Sequence, residues 1–335
     1  MQPPCNSYPH VAVILPCLNE AASVGHVIDE VRAALPEATV YVYDNRSTDD
    51  TAAVARAHGA QVRHEPRPGK GNVIRRAFAD VEADVYVMLD GDDTYDAAVA
   101  GELVEKLITE GLDHVVGTRR ASSLTAYRRG HAAGNRALNR VVSTVFGEPV
   151  TDMLSGYRVM SRRFVKSFPA ISRGFEVETE LTVHAVNLRV PQAEVPVGFK
   201  DRAEGSASKL RTYRDGWAIL RWIVRLARYE RPTLVHSTLG GLIAVVALIL
   251  GIPVVVEFFR IGLVPKFPTA ILASALMMIA VVVTAVGVIL EAVRHASDEA
   301  SRLIYLQYPS PHGLLDERAP VEPSVDVRRD NVAQR

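Results

Sequence analysis

Val85 to Asp96 reads VYVMLDGDDTYD, and this stretch decides the architecture of the 335-residue chain. Five apolar residues, Val85 to Leu89, have the length and composition of a central parallel strand buried on both faces. The strand then runs into Asp90, Asp92, Asp93 and Asp96, four acids within seven residues. A folded chain holding that much negative charge at one strand end needs something to neutralise it. A divalent cation meets the need. Hard oxygen ligands select Mg²⁺ or Mn²⁺, and Mg²⁺ commonly takes one or two carboxylates and completes its shell with water and substrate phosphates. The competing reading is a polar turn in which aspartate caps a helix. In open α/β sheets, however, ligands bind at the carboxyl ends of the strands.

Working outward, strands and helices alternate. Val11 to Leu15 is an apolar run broken by Pro16-Cys17-Leu18-Asn19-Glu20 before a helical pattern from Ala21 to Ala34. A second strand, Thr39 to Tyr43, ends at Asp44, and the NRSTDDT that follows supplies cap residues for a helix through Ala57. A third, Gln61 to His64, leads into Arg67-Pro68-Gly69-Lys70-Gly71-Asn72, a glycine-flanked basic turn able to meet phosphate through its amides and its lysine. Beyond the acidic strand end lie a helix from Ala98 to Glu110 and a strand, His114 to Gly117, ending in Thr118-Arg119-Arg120. This alternation predicts an α/β fold. It places Glu20, Asp44, Lys70, Asp90, Asp92 and Arg119 along one edge of one sheet.

The 38 basic and 38 acidic residues balance, so no bulk preference for nucleic acid follows. Cys5 and Cys17 are too few for a disulfide framework or a zinc site. The opening MQPPCNSYPH lacks the pattern of a secretory signal, which places the first domain in the cytoplasm. Pro232 to Val256 and Phe267 to Leu290 hold 25 and 24 residues without Asp, Glu, Lys or Arg. Each exceeds the ~20 needed to cross a hydrocarbon core. Two transmembrane helices are expected, at about 233–256 and 268–291, with homo-oligomeric contact through them left open. Lys209, Arg211, Arg214, Arg221, Arg225, Arg228 and Arg231 precede them, and Arg294 and Arg302 follow, which places both termini on the cytoplasmic side. The same basic residues, interleaved with Trp217 and Trp222, suit an interfacial helix over 209–231, or a helix packed on the first domain. From 307 to 335 proline and charge predict a disordered tail.

The ordered motifs LPCLNE, YDNRSTDDT, RPGKGN, LDGDD and GTRR resemble those of family-2 glycosyltransferases with the GT-A fold, a Rossmann-like, mostly parallel sheet. DMLSGYRVM (Asp152 to Met160), GFEVETEL (Gly174 to Leu181) and VPVGFKDRAEGSASKL (Val195 to Leu210) are similar to the branch that includes dolichyl-phosphate mannose synthase and bacterial enzymes with two C-terminal membrane helices. The resemblance covers roughly residues 10 to 295. It implies a catalytic domain over 1–208 that takes a nucleotide diphosphate sugar, UDP or GDP, and loads a hexose onto polyprenyl phosphate at the membrane. It further implies that Pro16, Leu18 and Glu20 lie against the base and ribose and that Asp44 accepts from the base. Asp90 and Asp92, flanking Gly91, would be the metal pair, with Asp92 the direct ligand and Asp90 on ribose or metal. Arg119 and Arg128 would face phosphates, and Arg202 and Lys209 would close over the diphosphate. Three positions depart from the branch: Ala207 and Ser208 stand between Ser206 and Lys209, His131 replaces a serine, and Thr94 stands where glutamine is common.

The chemistry needs these groups because charge builds on the diphosphate as the glycosidic bond breaks, and a metal with basic side chains stabilises it. A phosphate monoester acceptor, with a second pKa near ~6, is mostly dianionic at neutral pH and needs no strong base. Asp152 is therefore open between orienting sugar hydroxyls, acting as a base, and pairing with Arg158. Glu178, in the alternating Glu176, Glu178 and Glu180, is expected to contact sugar or acceptor. The alternatives are a family-2 enzyme acting on another lipid or lipid-linked glycan, and an inactive membrane-anchored scaffold.

Overall fold

Alternation along the strands divides the buried side chains between two cores, one on each face of a single sheet. The computed structural model describes residues 9–121, 151–174, 176–200 and 232–316. In order these form β1 (Val11–Cys17), α1 (Val24–Ala34), β2 (Thr39–Asp44), α2 (Thr51–Ala57), β3 (Gln61–His64), α3 (Lys70–Asp80), β4 (Val85–Met88) and a 3-10 turn (Ala97–Val99). There follow α4 (Ala100–Thr109), β5 (His114–Ala121), β6 (Arg158–Ser161), α5 (Arg162–Ser167), α6 (Val177–Leu188), β7 (Gln192–Phe199), α7 (Pro232–Ile261), α8 (Phe267–Tyr305) and a short α9 (Gly313–Asp316). From β1, Val11, Val13, Leu15 and Cys17 meet Val27 and Ile28 of α1 and Leu103 of α4. Ala12 and Ile14 turn the other way, to Ile74 of α3, Phe164 of α5 and Leu181 of α6. β4 divides likewise, with Val85 and Val87 against Tyr86 and Met88. Truncating the wholly buried Ile14 to alanine would cost about 2–5 kcal/mol.

The sheet order is β3-β2-β1-β4-β6-β5-β7. β6 runs antiparallel to both neighbours, and every other adjacent pair is parallel. The parallel strands therefore share one carboxyl edge, as the alternation requires. Several boundaries differ from expectation for local reasons. β1 continues past Leu15 because Pro16 and Cys17 stay in register with Tyr43 and Asp44. α1 begins at Val24, not Ala21, because the Glu20 carbonyl accepts from Ser23 and Val24 amides in a turn. β5 continues to Ala121, held by eight register partners in β7.

α7 and α8 are long and apolar enough to cross a membrane. Apart from Pro232 at the start of α7, their buried residues repeat every seven positions, Gly240, Ala247 and Val254 on one helix and Ala273, Ala280 and Gly287 on the other. That period and those small side chains suit close, left-handed helix packing. A Cβ on Gly287 would lie 2.6 Å from His236 Cβ, so the contact admits nothing larger. Both helices run past the expected spans. Residues 307–316, expected as tail, are ordered here: Pro311 is buried and Leu314 packs on the first core. The expected interfacial helix at 209–231 and the rest of the tail lie outside the described residues.

Candidate active site

The acids that end β4 are held in a turn built for close approach. Asp93 takes a left-handed φ of 55°, and Asp92 Oδ1 accepts from the Thr94 amide at 3.3 Å and its hydroxyl at 2.6 Å. Gly91 admits this geometry because any Cβ there would strike Cys17 Sγ and come within 2.6 Å of Glu20 Oε2. Gly156, ahead of β6, is likewise required, since its Cβ would collide with the Asp90 carboxylate. Its amide donates to the Tyr95 hydroxyl at 2.9 Å, which ties the acidic turn to the DMLSGYR segment.

Glu20, Asp90 and Asp92 thus crowd together. Burial pushes the Glu20 carboxyl up to about 8, with the charges of Asp92 and Asp90 adding to the rise. Its Oε2 is buried with no hydrogen-bond partner. Burial also raises the Cys17 thiol, which stays protonated beside Glu20.

Lys70, the first residue of α3, reaches into this cluster. Its ammonium contacts Asp90 Oδ1 and, at 2.6 Å, Glu178 Oε1, with both Lys70 and Glu178 buried. Burial opposes the lysine charge, but the two carboxylates outweigh it and hold the group protonated. Burial raises the Glu178 carboxyl while Lys70 pulls it back, and Glu178 Oε2 has no partner. The turn's amides are committed elsewhere. The Gly69 amide donates to Asn45 Oδ1 at 2.8 Å and the Gly71 amide to the Gly174 carbonyl at 3.1 Å. The expectation that this turn cradles phosphate through its amides therefore fails at Gly69 and Gly71; Lys70 organises carboxylates instead. Gly69 itself is fixed by its φ of 117° and by the Arg173 carbonyl in the space of a Cβ.

Asp152 pairs with Arg119, not Arg158. It accepts from the Arg119 amide at 3.1 Å, Nε at 2.8 Å and Nη2 at 2.6 Å, a two-pronged fork. Arg158 is wholly buried and donates to the Ser155 and Met153 carbonyls and to Thr182 Oγ1 at 2.8–3.0 Å. It also meets His114 Nε2 at 3.0 Å, where burial, with the Arg158 charge, keeps the imidazole neutral and accepting. A carboxylate already forked by a guanidinium is a poor base, and Arg119 is oriented by Asp152 at the strand edge.

On the other side, the loops after β1, β2 and β3 are stitched together. Asn19, at a φ of 56°, accepts from the Thr48 amide at 2.7 Å, and its own amide donates to Ser47 Oγ at 2.9 Å. Asp49 accepts from the Ala21 amide at 3.1 Å. Asn45 Nδ2 donates to the Glu65 and Arg67 carbonyls at 2.9 and 2.7 Å. Asp44 is buried, accepting from the Ser47 amide at 3.2 Å and paired with His64 Nδ1 at 3.0 Å. Pro16 is paired within the sheet and Leu18 is exposed. The site thus gathers Glu20, Lys70, Asp90, Gly91, Asp92, Arg119, Asp152 and Glu178, with Asp44 at the end of the neighbouring strand β2. Sequence reasoning missed Asn19, Asn45, Tyr95 and Gly156. For the two asparagines the available signal was an Asn just after a strand, a residue that tolerates left-handed backbone and hydrogen-bonds locally. Arg128, Arg202 and Lys209 lie outside the described residues.

The profile of Glycosyl transferase family 2 matches residues 12–168. Glycosyltransferase AglJ of Haloferax volcanii is 35% identical over 69% of this chain and 76% of its own. A dolichyl-phosphate hexose transferase of the same organism is 28% identical over 67% of this chain and 97% of its own. Among solved structures, glucosyl-3-phosphoglycerate synthase from Mycobacterium tuberculosis, in complex with Mn²⁺, UDP-glucose and phosphoglyceric acid, superposes with a TM-score of 0.54. It is 26% identical, over 66% of this chain and 79% of that one. With the acid-terminated central strand and the seven-stranded mixed sheet, these likenesses show that the chain is a GT-A-fold enzyme belonging to glycosyltransferase family 2.

Proposed function

We propose that this enzyme transfers a hexose, with inversion, from a UDP or GDP sugar to polyprenyl phosphate at the cytoplasmic face of a membrane. The observation that carries the reading is the gathering of Glu20, Asp90 and Asp92 at one strand end, in a chain that also holds two helices long and apolar enough to cross a bilayer. A Mg²⁺ or Mn²⁺ ion fits this donor set. Asp90 and Asp92 offer hard carboxylate oxygens at one strand end, and the buried Glu20 carboxyl beside them adds to the negative charge that a cation would offset. Asp92 and Asp90 would hold the ion, which when bound supplies positive charge to the departing diphosphate.

The chain's own groups do the rest. Lys70 holds Asp90 and Glu178 in place, and the unpartnered Glu178 Oε2 is available to a sugar hydroxyl. Arg119, kept at the edge by Asp152, is positioned to meet phosphate. With Asp152 forked, an acceptor that is already anionic suits the site because it needs no general base, and a phosphate monoester is one. In-line placement of that oxygen behind the anomeric carbon inverts the configuration. The named activity of the Haloferax dolichyl-phosphate hexose transferase supports a lipid phosphate acceptor, and the UDP-glucose bound by the mycobacterial synthase supports a uridine donor. Arg294 and Arg302, after the second apolar stretch, support the cytoplasmic placement.

The test is to incubate the full chain in lipid with a panel of nucleotide sugars, Mg²⁺ or Mn²⁺, and a short polyprenyl phosphate, and to read products by mass spectrometry. A polyprenyl-phosphate hexose cleaved by mild acid is expected. An acid-stable glycoside on another lipid, with no polyprenyl product, would replace this reading by the other-acceptor one.

A further inference from the structure

Helix α8 does more than cross the apolar layer. At the level where α7 begins, the Thr233 hydroxyl donates to the Gly287 carbonyl at 3.1 Å and the Thr233 amide to Glu291 at 3.4 Å. α8 then continues unbroken to Tyr305. Fourteen residues at a 1.5 Å rise make this extension about 21 Å long. It is polar, carrying Arg294, His295, Asp298, Glu299 and Arg302, so it lies outside the apolar part of the hairpin.

Its far end is bolted to the catalytic domain. The Tyr305 hydroxyl donates to Asp113 Oδ2 at 2.8 Å. Asp113 is wholly buried, is forked by Arg163 at 2.5 and 2.6 Å, and accepts from Ser161 Oγ at 2.6 Å. The Arg163 guanidinium lies over the Tyr305 ring at 4.6 Å, and that of Arg162 over Tyr308 at 5.4 Å. Leu314 then anchors the chain on the first core. Asp113 immediately precedes β5, so the joint grips the base of the strand whose other end carries Arg119, six residues or about 20 Å away. None of these groups touches the candidate active site.

We propose that α8 is a rigid strut that sets the height and tilt of the catalytic domain above the bilayer, with Tyr305, Asp113 and Arg163 as its joint. Tyr305 is then a positioning residue for transfer to an acceptor embedded in the membrane. A continuous helix resists bending where a loop would not, and a buried carboxylate held by three side chains gives the joint one geometry. The functional half of this inference rests on the proposed lipid phosphate acceptor; the mechanical half does not.

The experiment uses the full chain in nanodiscs. A fluorophore on Glu37→Cys, an exposed surface position, reports its distance from a dye in the headgroup layer by energy transfer. Seven residues inserted after Ala296 add two turns, lengthening the strut by about 10 Å while nearly keeping its rotational phase. The insertion is expected to shift the distance by a comparable amount, and Tyr305→Ala to broaden its distribution, while Tyr305→Phe, which keeps the ring, is expected to broaden it less. Unchanged distances in the insertion variant would overturn the strut. Transfer is read in parallel with a bilayer-embedded polyprenyl phosphate and with a short soluble one. The insertion should lower the first at least tenfold and leave the second unchanged. Equal rates with both acceptors, despite a shifted distance, would overturn the positioning role. If the unaltered chain glycosylates neither acceptor, the proposed acceptor fails, and the distance measurement still judges the strut.

Discussion

Lys70→Met removes the one ammonium that joins Asp90 to Glu178 and keeps nearly the volume of the side chain. In the free enzyme this leaves two carboxylates, one of them fully enclosed, beside Glu20 and Asp92 with their lysine gone. Removing one partner of a buried ion pair costs about 3–5 kcal/mol, because the remaining charge stays desolvated. At about 2–4 °C of melting temperature per kcal/mol for a domain of this size, Tm should fall by on the order of 10 °C at pH 7. Adding Glu178→Gln removes the stranded charge, so the double variant should recover at least half of the loss. The cycle also carries a pH signature. A carboxyl that takes up a proton in the folded state relieves the single variant in acid, so its deficit should shrink from pH 7 to pH 5. Thermal unfolding of the detergent-solubilised chain, followed by circular dichroism, reads all three quantities. A Lys70→Met variant melting within a degree of the parent, or a double variant no more stable than the single one, would refute the ion-pair account.

Glu20 gives a second pH effect. Its carboxyl is raised to about 8 in the fold against an ordinary value of 4.5, so the folded state binds the extra proton between those limits. Stability of the metal-free, donor-free protein should therefore fall as pH rises from 4.5 to 8, by at most about 1.4 kcal/mol per pH unit, and Glu20→Gln should flatten the slope in denaturant titrations. Asp92→Ala is expected to lower kcat on the order of 10²-fold or more without lowering Tm by more than a degree or two, and a chelator should abolish turnover that Mg²⁺ or Mn²⁺ restores. Asp152→Asn keeps one acceptor oxygen for Arg119 and should cost about tenfold in kcat/KM at every pH. Loss of the acid limb of the pH profile would instead mark Asp152 as a base.

What was legible in the sequence was set by short-range rules. The apolar run ending at Asp90, the strand end at Asp44 and the charge-free stretches from Pro232 each carry their own signal, and the structure places them accordingly, while Arg119 lies inside a strand that runs on to Ala121. Illegible features depend on distant partners. By sequence distance the Asp152 fork would sooner have gone to Arg158, and only the antiparallel entry of β6 between β4 and β5 buries Arg158 and leaves Arg119 to Asp152. The basic turn at Lys70 resembles a phosphate loop locally, but Asn45 and Gly174, remote in the chain, occupy two of its amides. The order of residues 307–316 was hidden because Leu314 gains its apolar contact from a core assembled elsewhere.

The sevenfold repeat of glycine, alanine and valine between the two apolar helices has a consequence for where the product goes. Among the described residues the two apolar helices approach closely at Gly240 and Gly287, and two helices by themselves do not enclose a path for a hydrated sugar. Under the proposed reaction, the glycolipid stays in the leaflet where it is made. Under the same reaction, delivery of a head bearing one phosphate and one sugar to the opposite leaflet would need more than this pair of helices.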